Sequence, residues 1–429
     1  MIDRYSLKEM SQIWSPESRF HFMLKVEQAV AKAQGDLGII PKPAAQTIYS
    51  KARFSYNNIL KREQASRHDV TAFVSETASH LGKHGAYFHY GLTSSDVLDT
   101  ALSLQIKESK KLLDKSFKSL KKTLKQLIVK HKKTLCAGRT HGIQAEPTTF
   151  GFKILGHLAE FSRAEHSFNQ AVSICSIAKI SGAVGTYSSL PPQIEKKVCQ
   201  KLSLKPETIA TQIVPRDRIA RLVFSLSLIG SFIERLAVEL RHLQRTEVAE
   251  VTEAFYKGQT GSSAMPHKKN PISAENLTGL ARLLRSYVSP ALENISLWHE
   301  RDISHSSVER VILPDSFILT HYALTRLENL LKTLQVNEKE MKQNLDSSKG
   351  LVFSSQVLNA LVRKSLPRQK AYPLVQKISQ NLKENEDLKS ALQKNTEIKK
   401  HLTSKEIENI FSGQSNDLLK HLEETLKKF

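Results

Sequence analysis

The stretch LTSSDVLDTALSLQIKESKKLLDKSFKSLKKTLKQLIVKHKKTLCA, residues 92–137, contains neither glycine nor proline. These two residues oppose helix formation most strongly, so their absence permits one continuous helix. Thr93 or one of the two serines that follow can cap its start, and Asp96 and Asp99 come next, where the helix dipole favours acids. The stretch predicts a helix of about 40 residues, roughly 60 Å long. Its apolar stripe is Val97, Ala101, Leu104, Leu113, Phe117, Leu120, Leu124 and Leu127.

Four further segments can supply the long partners that such a helix needs. Proline is favoured in the first turn of a helix, and each segment has a proline at or near its predicted start. The segment that begins at Pro215 runs to Gly258, and much of LVFSLSLIGSFIERLAVEL, residues 222–240, is apolar around most of its circumference. Such a helix needs burial on several sides, which neighbouring subunits of a homo-oligomer would provide. The predicted starts are Pro147, Pro215, Pro271 and, for the last helix, Pro314 or Asp315.

These long helices predict an all-α fold with an elongated long-helix bundle at its core, because no segment shows strand-like alternation over any length. The bundle is expected over residues 93–340. Shorter helices precede it and predict an N-terminal helical domain over residues 1–92. After about residue 340 the composition shifts toward a Lys/Glu-rich helical tail, which predicts a C-terminal helical domain over residues 341–429.

The composition excludes several classes of protein. With 40% hydrophobic and 24% charged residues, the 429-residue chain is neither disordered nor membrane-like. Its first residues, MIDRYSLKEM, lack the basic-then-apolar pattern of a signal peptide, and no uncharged apolar run reaches roughly 18 residues. The three cysteines form no CxxC pair and no even framework, so a reducing cytoplasm is the expected location.

The net charge of +21 raises the alternative of a nucleic-acid partner. The lysines, however, are spread through segments such as KESKKLLDKSFKSLKKTLK, residues 107–125, at spacings that place them on helix exteriors. Few aromatic residues interleave with them for base stacking, and no nucleic-acid motif is present. A solvated basic face is therefore the favoured interpretation, and no membrane partner is expected.

Polar residues cluster at four breaks along the chain. The most unusual cluster is GQTGSSAMPHKKNP, residues 258–271, whose glycines and prolines favour a mobile loop that brings hydroxyl groups and cations to an anionic substrate. Each cluster also has a structural interpretation, such as a helix cap or a surface ion pair. No nucleotide-cofactor or acyl-serine motif is found, and His80 and His84, four residues apart, lack a third ligand in motif spacing. Neither an organic cofactor nor a metal is therefore implied. The other clusters are SRHDVTAF at 66–73, AGRTHG at 137–142 and WHERDISHSSVERVILPD at 298–315.

Together these segments resemble the fumarase/aspartase superfamily, whose members eliminate fumarate from succinyl-type substrates. The superfamily shares the core GSSxMPxKxN, which GSSAMPHKKNP matches at residues 261–271. The form with AMPHKKNP resembles the branch that acts on succinylated purine nucleotides. The resemblance runs from residue 1 to about residue 370, through MIDRYS, SRHDVTAF, HYGLTSSDVLDTALS, GRTHGIQAEPTTFG, KISGAVGTYS, QIVPRDRIA and WHERDISHSSVERVILPD.

By this resemblance the loop is a lid, and one serine of its pair is the general base. The six-residue spacing to Lys268 selects Ser262, with Ser263 beside it as a binding group, although their adjacency leaves both serines open for the role. The base removes a proton from the carbon beside the succinyl carboxylate, and serine needs nearby positive charge and exclusion of water to do so. Lys268 and Asn270 would stabilise the carbanion that results.

The resemblance assigns protonation of the departing amine to His141, with Glu275 holding the imidazole in the right tautomer. His68 would contact the nucleotide phosphate or help to organise the acid, and His89 would lie near the phosphate. Gln144 stands where several relatives carry a histidine. Because glutamine does not titrate, we do not expect a catalytic role at this position.

The resemblance also implies a set of substrate-binding residues. Arginine suits phosphate and carboxylate groups because its planar guanidinium binds them in a bidentate way. Hydroxyl groups beside a helix N-terminus add backbone donors that favour anions. The nucleotide and phosphate contacts are Arg4, Tyr5, Arg301, Ser306 and Arg310; the succinyl contacts are Thr93, Ser94, Thr140 and Gln212; Arg67, Asp69 and Met265 complete the set.

The substrates expected from the resemblance are succinyl-AMP and the succinylo-carboxamide ribotide SAICAR, which would yield AMP or AICAR together with fumarate. Enzymes of this kind build each active site from three subunits of a homotetramer, so the same assembly is implied. One alternative is a sister lyase, either argininosuccinate lyase-like or a carboxymuconate cycloisomerase, but neither of those substrates carries a phosphate. The other is a non-catalytic basic helical scaffold that binds nucleic acid, against which the intact catalytic set argues.

Overall fold

The computed structural model describes residues 1–255, 258, 264–265, 267–412 and 416–429, with Asn416 described by its backbone only. Within these residues the fold is all-α, with nineteen α-helices and three short 3₁₀ helices at Asp3–Tyr5, Gly82–Tyr87 and Leu351–Phe353. The first ten helices are α1 (Lys8–Ile13), α2 (Pro16–Asp36), α3 (Lys42–Lys51), α4 (Tyr56–Ser66), α5 (Asp69–Ser79), α6 (Ser94–Lys130), α7 (Phe150–Cys175), α8 (Pro192–Leu202), α9 (Asp217–Leu243) and α10 (Ile272–Ser286). The others are α11 (Val288–Glu293), α12 (Ser304–Thr333), α13 (Glu338–Asp346), α14 (Ser354–Arg363), α15 (Arg368–Gln380), α16 (Leu388–Lys394), α17 (Thr396–Lys399), α18 (Ser404–Phe411) and α19 (Asn416–Leu426).

Six short strands form three two-stranded sheets in the described part of the chain, although the sequence predicts none. The strands are β1 (Leu135–Thr140), β2 (Ile143–Thr149), β3 (Ile177–Ala178), β4 (Lys205–Pro206), β5 (Val251–Thr252) and β6 (Gln335–Val336). β1 pairs with β2 and β5 with β6 in antiparallel fashion, whereas β3 and β4 are parallel. Most of these strands have only two residues, and so few residues cannot display an alternating pattern.

The predicted long helix is confirmed as α6, whose 37 residues contain neither glycine nor proline. Its predicted stripe is buried at seven positions, while Leu104 is partly buried. The two early acids do more than complement the helix dipole. The carboxylates of Asp96 and Asp99 are buried, and each forms an ion pair with a buried cation, Lys179 and Arg216 respectively.

The start of the second long helix differs from the prediction. Pro147 lies in β2 opposite Ala137, and α7 begins three residues later at Phe150. Proline has no N–H to give to a ladder and is tolerated in strands at bulges, and the register of β1 and β2 shifts between Ala137 and Arg139. The helix-favouring position of this proline is therefore overridden by pairing between the two strands.

Two further helix boundaries were predicted wrongly. The helix expected to reach Gly258 ends at Leu243, and the chain then forms β5. The helix expected to begin at Pro314 or Asp315 begins at Ser304, with Pro314 inside it. Asp302 accepts a hydrogen bond from the backbone N–H of Ser304 at 2.8 Å and so caps the earlier start. The helix predicted from Pro271 begins at Ile272, as expected.

The apolar helix within residues 222–240 is already covered on most sides within a single chain. Leu222, Val223, Leu226, Ile229, Phe232, Ile233 and Leu236 are fully buried. Phe224 is 51% exposed on the same helix. Contacts with other subunits, which the sequence predicts, are therefore not needed to bury most residues of this helix.

The chain divides into two compact units. Unit 1 comprises Met1–Lys118, Arg163–Ile233 and Gly279–Thr325, and unit 2 comprises Ser119–Ser162, Glu234–Thr278 and Arg326–Phe429. Unit 1 contains an apolar core built around Phe20, Met23 and Phe73, and unit 2 contains one built around Val357, Leu361 and Leu392. The three-domain division at residues 92 and 340 stays a prediction. No helix in the described part of the chain has both the length and the apolar content needed to span a membrane.

Candidate functional site

A cavity of about 290 Å³ in unit 1 brings together three of the predicted phosphate contacts, Arg301, Ser306 and Arg310. This volume is near the lower end of the range for small-molecule sites. The N-terminal turns of α12 position Ser306 and Arg310, and Arg301 precedes that helix. The cavity wall mixes apolar side chains with an excess of guanidinium groups, which is the chemistry that an anionic ligand with an apolar portion requires.

Asp69 organises two arginines of this cavity. Its Oδ2 accepts hydrogen bonds from Arg19 at 2.9 Å and from Arg310 at 2.8 Å. Burial opposes ionisation of Asp69, but the charges of Arg19 and Arg310 outweigh it and lower the pKa of the carboxyl group. Arg19 is not predicted from the sequence, because one arginine in the helical stretch SPESRF gives no signal of its own.

Arg301 and Gln212, predicted to bind different parts of the substrate, are neighbours in unit 1. A guanidinium nitrogen of Arg301 donates to the side-chain oxygen of Gln212 at 2.9 Å. The backbone N–H of Gln212 donates in turn to the carbonyl of Glu300 at 3.2 Å. The loop that carries Gln212 is thereby tied to the segment that leads into α12.

An ion-pair network forms another part of the cavity wall. Arg216 donates two hydrogen bonds to Asp99, at 2.8 and 2.9 Å, and one to the carbonyl of Val214 at 2.8 Å. Its Nε also lies 3.0 Å from Oε1 of Glu309. From the sequence, Asp99 is predicted only as an acid that complements the helix dipole, and Arg216 and Glu309 are not predicted at all. Pairing of residues far apart in sequence leaves no local pattern.

The N-terminus of α6 is fixed by a second buried ion pair. Nζ of Lys179 donates to Asp96 at 2.7 Å and to the carbonyl of Gly182 at 2.5 Å. The other oxygen of Asp96 accepts the backbone N–H of Thr93 at 2.9 Å, one residue before Ser94 opens the helix. These bonds tie the KISGAVG segment, residues 179–185, to the turn that carries Thr93 and Ser94, the two predicted succinyl contacts.

The two predicted histidines of unit 1 have different surroundings. His68 is exposed and caps α5, because its Nδ1 accepts the backbone N–H of Thr71 at 3.3 Å. Nδ1 of His89 lies 2.5 Å from a carboxylate oxygen of buried Glu27. Burial by itself would lower the pKa of His89, but the Glu27 carboxylate outweighs it and raises that pKa. Arg67, beside His68, is exposed and ends α4 with a positive φ of 51°.

The remaining predicted contacts of unit 1 lie near the start of the chain. Arg4 is exposed on the 3₁₀ helix Asp3–Tyr5. The ring of Tyr5 packs edge-to-face on Tyr322, with ring centroids 5.5 Å apart. The N-terminal ammonium group lies 2.6 Å from Asp315 of α12. These contacts hold the first residues against the helix that carries Ser306 and Arg310.

In unit 2, His141 lies at the tip of the β1–β2 hairpin. Its φ is 54° and that of Gly142 is 80°, and two consecutive positive values define the type I′ turn that matches the twist of paired strands. Thr140 precedes the turn, and the side chains of Thr140 and His141 are exposed. The turn therefore presents the predicted acid to solvent in this chain.

The strand residues next to this turn are held by a buried carboxylate. Arg139 donates to both oxygens of Glu250, at 2.5 and 3.2 Å, and Glu250 is fully buried. Hydrogen bonding by Glu250 raises the pKa of Arg139. Gln144 donates its amide to the carbonyl of Asn344 at 2.8 Å, so this side chain anchors the hairpin.

The predicted lid coincides largely with residues outside the described part of the chain. Ser262 and Ser263, the two candidates for the base, both lie outside it. Lys268 and Met265 are exposed, and Asn270 is half-buried just before α10. Glu253, which the sequence analysis missed, accepts the backbone N–H groups of Ser273 and Ala274 at 3.0 and 2.8 Å and so caps α10.

The structure therefore gathers some predicted site residues and leaves others apart. Asp69, Gln212, Arg301, Ser306 and Arg310 are linked through the cavity of unit 1. Glu275 is exposed on the first turn of α10, and among the described residues it forms no ion pair with His141.

Comparisons with known proteins agree with this fold. A family model described as Lyase matches residues 4–284, and one described as Adenylosuccinate lyase C-terminus matches residues 350–429. The adenylosuccinate lyase of Thermotoga maritima is 46% identical over 430 residues, which cover 100% of this chain and 99% of that protein. The adenylosuccinate lyase of Bacillus subtilis is 48% identical over 376 residues, 88% of this chain and 87% of that one. The crystal structure of a fumarate lyase from Mesorhizobium sp. BNC1 matches 100% of this chain and 99% of its own, with a TM-score of 0.89 at 26% identity.

The all-α fold and the family match define a lyase of the fumarase/aspartase type, and they confirm the resemblance found in the sequence. Its chemistry is that of a carbon–nitrogen lyase. The chain belongs to the adenylosuccinate lyase family.

Proposed function

We propose that this protein eliminates fumarate from succinyl-AMP to give AMP, and from SAICAR to give AICAR. The observation that carries the proposal is the cavity of unit 1, where Arg19, Arg301 and Arg310 surround one space together with Ser306. These three guanidinium groups, beside Arg216, which is paired with Asp99, suit a ligand with a phosphate and two carboxylates. The matched relatives named adenylosuccinate lyase support the same reaction.

Phosphate recognition is assigned to Arg310 and Ser306, with Arg301 reaching the same ligand. Asp69 holds Arg310 and Arg19 through one carboxylate oxygen. This carboxylate restrains both side chains before the ligand arrives, which lowers the entropy lost on binding. Arg4 and Tyr5 contribute to the nucleotide portion in this proposal.

The first chemical step is proton removal from the carbon beside the succinyl carboxylate. Ser262 takes this proton as general base, and Ser263 binds substrate beside it. The electron pair left on carbon is delocalised into the neighbouring carboxylate, where Lys268 and Asn270 stabilise the charge. Exclusion of water from the site would strengthen these interactions.

The second step is cleavage of the C–N bond. The electron pair on carbon forms the double bond of fumarate, and the bonding pair leaves with the purine amine. His141 donates a proton to that amine, and Glu275 keeps the imidazole oriented. Thr93, Ser94, Thr140 and Gln212 bind the succinyl portion in this assignment. His68 and His89 act close to the phosphate, beside the binding groups Arg67, Asp69 and Met265.

We assign these residues to an active site shared among subunits of a homotetramer. Large apolar side chains are exposed on the long helices, including Phe224 on α9, Leu283 on α10 and Val311 on α12. Exposed apolar surface of this kind favours association with another copy. No metal or organic cofactor enters the proposed reaction. The cytoplasm is the proposed location, consistent with three buried free cysteines.

The experiment that tests this function follows the ultraviolet absorbance of succinyl-AMP mixed with the purified protein. We expect loss of the succinylated chromophore with stoichiometric release of fumarate. Argininosuccinate, which lacks a phosphate, serves as the control substrate and should not react. Absence of turnover by a correctly folded protein would contradict the proposal.

The Ser262→Ala and Ser263→Ala variants distinguish the base from its neighbour in the same assay. We expect the first to lose at least about 100-fold in kcat, as removal of a general base does, and the second to retain turnover with a raised KM. Loss of turnover in the second variant alone would assign the base to Ser263.

A further inference from the structure

Two buried carboxylates share one guanidinium group in the wall of the unit 1 cavity. Asp99 faces Arg216 with two aligned hydrogen bonds, at 2.8 and 2.9 Å, and also accepts the backbone N–H of Val214 at 2.8 Å. Glu309 interacts with Arg216 less closely: its nearest carboxylate oxygen lies 3.0 Å from Nε of Arg216, and it accepts a single long hydrogen bond of 3.4 Å. The one cation, Arg216, is therefore shared by two carboxyl groups, and it interacts more closely with Asp99 than with Glu309.

Because Arg216 is neutralised mainly by Asp99, a negative charge on Glu309 would be poorly compensated. Its side chain is 10% exposed, so water compensates little for an ionised oxygen. Burial raises the pKa of Glu309 to about 7, against the opposing effect of Arg216. The Arg216 bonds, by contrast, overcome burial and lower the pKa of Asp99. The group that titrates near neutrality is thus Glu309.

The other charged and titratable groups around the cavity come from several elements. They are Arg19 of α2, Asp99 of α6, Arg216 before α9, Arg301 before α12, and His305 and Arg310 of α12. Burial lowers the pKa of His305 to about 4, so its imidazole is neutral at physiological pH. Glu309 is on the same helix as Ser306 and Arg310, α12, and lines the same cavity. An anion entering the cavity meets arginines together with this one adjustable carboxyl group.

We propose that Glu309 is a proton-linked determinant of nucleotide binding, which is neutral when the anionic substrate occupies the cavity and weakens binding when it is ionised. The inference rests on the proposed function, because it takes a phosphorylated nucleotide as the ligand of the cavity. The uncharged acid leaves Arg216 paired with Asp99 and adds no negative charge beside the ligand. The ionised form adds a like charge that is poorly screened inside the protein.

The sign of the pH dependence follows from these charges. Below about pH 7 the Glu309 carboxyl group is mostly protonated and the ligand binds tightly. As the pH rises through 7, the proton is lost, repulsion appears, and KM rises. A ligand that displaces the pKa of this group by one unit makes KM rise about tenfold over the full titration. kcat at saturation is unaffected, because Glu309 takes no part in proton removal or in cleavage of the C–N bond.

The test measures KM and kcat for succinyl-AMP from pH 6 to pH 9 in the native protein and in Glu309→Gln, whose amide mimics the neutral acid. We expect the native KM to rise about tenfold across pH 7 and the Glu309→Gln KM to stay low and lose that rise. The matched control is Glu328→Gln, a buried glutamate on the same helix, which should keep the native profile. An unchanged pH profile in Glu309→Gln would overturn the proposal, while the turnover itself would still support the proposed reaction.

A measurement on the native protein covers the case in which Glu309→Gln does not fold. AMP binding is measured by calorimetry at pH 7.5 in buffers of different ionisation enthalpy. At this pH most of the AMP phosphate is already doubly ionised, with a second pKa of about 6. We expect net proton uptake on binding, and binding without proton uptake would overturn the role of Glu309.

Discussion

The cavity of unit 1 and the hairpin of unit 2 hold their predicted site residues in opposite ways. In the cavity, Arg310 is restrained by Asp69 and Arg301 by Gln212, so both side chains have a partner before any ligand arrives. At the hairpin tip, His141 is positioned by its backbone turn, and its side chain is exposed. Binding groups are thus organised by side-chain contacts, and the predicted acid is presented by chain geometry.

The difference matters because the two kinds of organisation fail in different ways. A side chain held by an ion pair is released when its partner is removed, while the backbone around it stays in place. A residue at a positive φ depends on the turn, so a change in the neighbouring glycine displaces it. The strand next to the turn is nevertheless held by side-chain contacts, since Arg139 is bonded to both oxygens of buried Glu250.

The largest effect is expected from His141→Ala. Removal of a general acid typically costs about 10²–10⁴ in rate, so kcat should fall by at least about 100-fold with little change in KM. Steady-state kinetics with succinyl-AMP measures both constants. The control is His166→Ala, an exposed histidine on α7, which should retain native kinetics. Native kcat in His141→Ala would show that the hairpin tip takes no part in the chemistry.

Mixing variants sharpens the same prediction. If His141 and Ser262 enter each site from different subunits, combining inactive His141→Ala with inactive Ser262→Ala after subunit exchange restores part of the activity. No recovery after verified exchange would contradict shared sites and place both groups in one subunit.

A smaller effect is expected from Asp69→Asn, which removes the charge that restrains Arg19 and Arg310. The repulsion between the two guanidinium groups is then no longer compensated, and the amide oxygen that remains is a weaker acceptor than the carboxylate. KM for succinyl-AMP should therefore rise about tenfold, or ~1.4 kcal/mol. The matched control is Asp36→Asn at the exposed end of α2, where the carboxylate pairs with Lys32. A lower KM in Asp69→Asn would mean that Asp69 competes with the ligand for the arginines, which reverses the assigned role.

How far the sequence predicts these regions depends on the range of the interactions. The absence of glycine and proline is a local property, so α6 is found within a few residues of its ends. Pro147 and Pro314 mislead because strand pairing and an earlier cap at Asp302 override their local preference. Arg19, Arg216 and Glu309 escape prediction because each acts through a partner far away in sequence.

The smallest effect is expected at Gly142, and it tests the backbone side of the comparison. Gly142 has a φ of 80° and open space around the position of a Cβ, so Gly142→Ala should cost about 1 kcal/mol of unfolding free energy through backbone strain alone. Gly142→Asn should cost less, because asparagine tolerates this conformation. In the control, Gly156→Ala, the effect on stability should have the opposite sign. This glycine also has open space around it but lies inside α7, where alanine should stabilise by about 0.5–1 kcal/mol.

Denaturant unfolding measures the stability of all three variants. A loss of kcat in Gly142→Ala that exceeds the loss in Gly142→Asn would tie the turn geometry to the placement of His141. Equal stability and equal kcat in the two Gly142 variants would instead mean that the hairpin tip tolerates a change of turn type, and that His141 is placed by something other than its backbone.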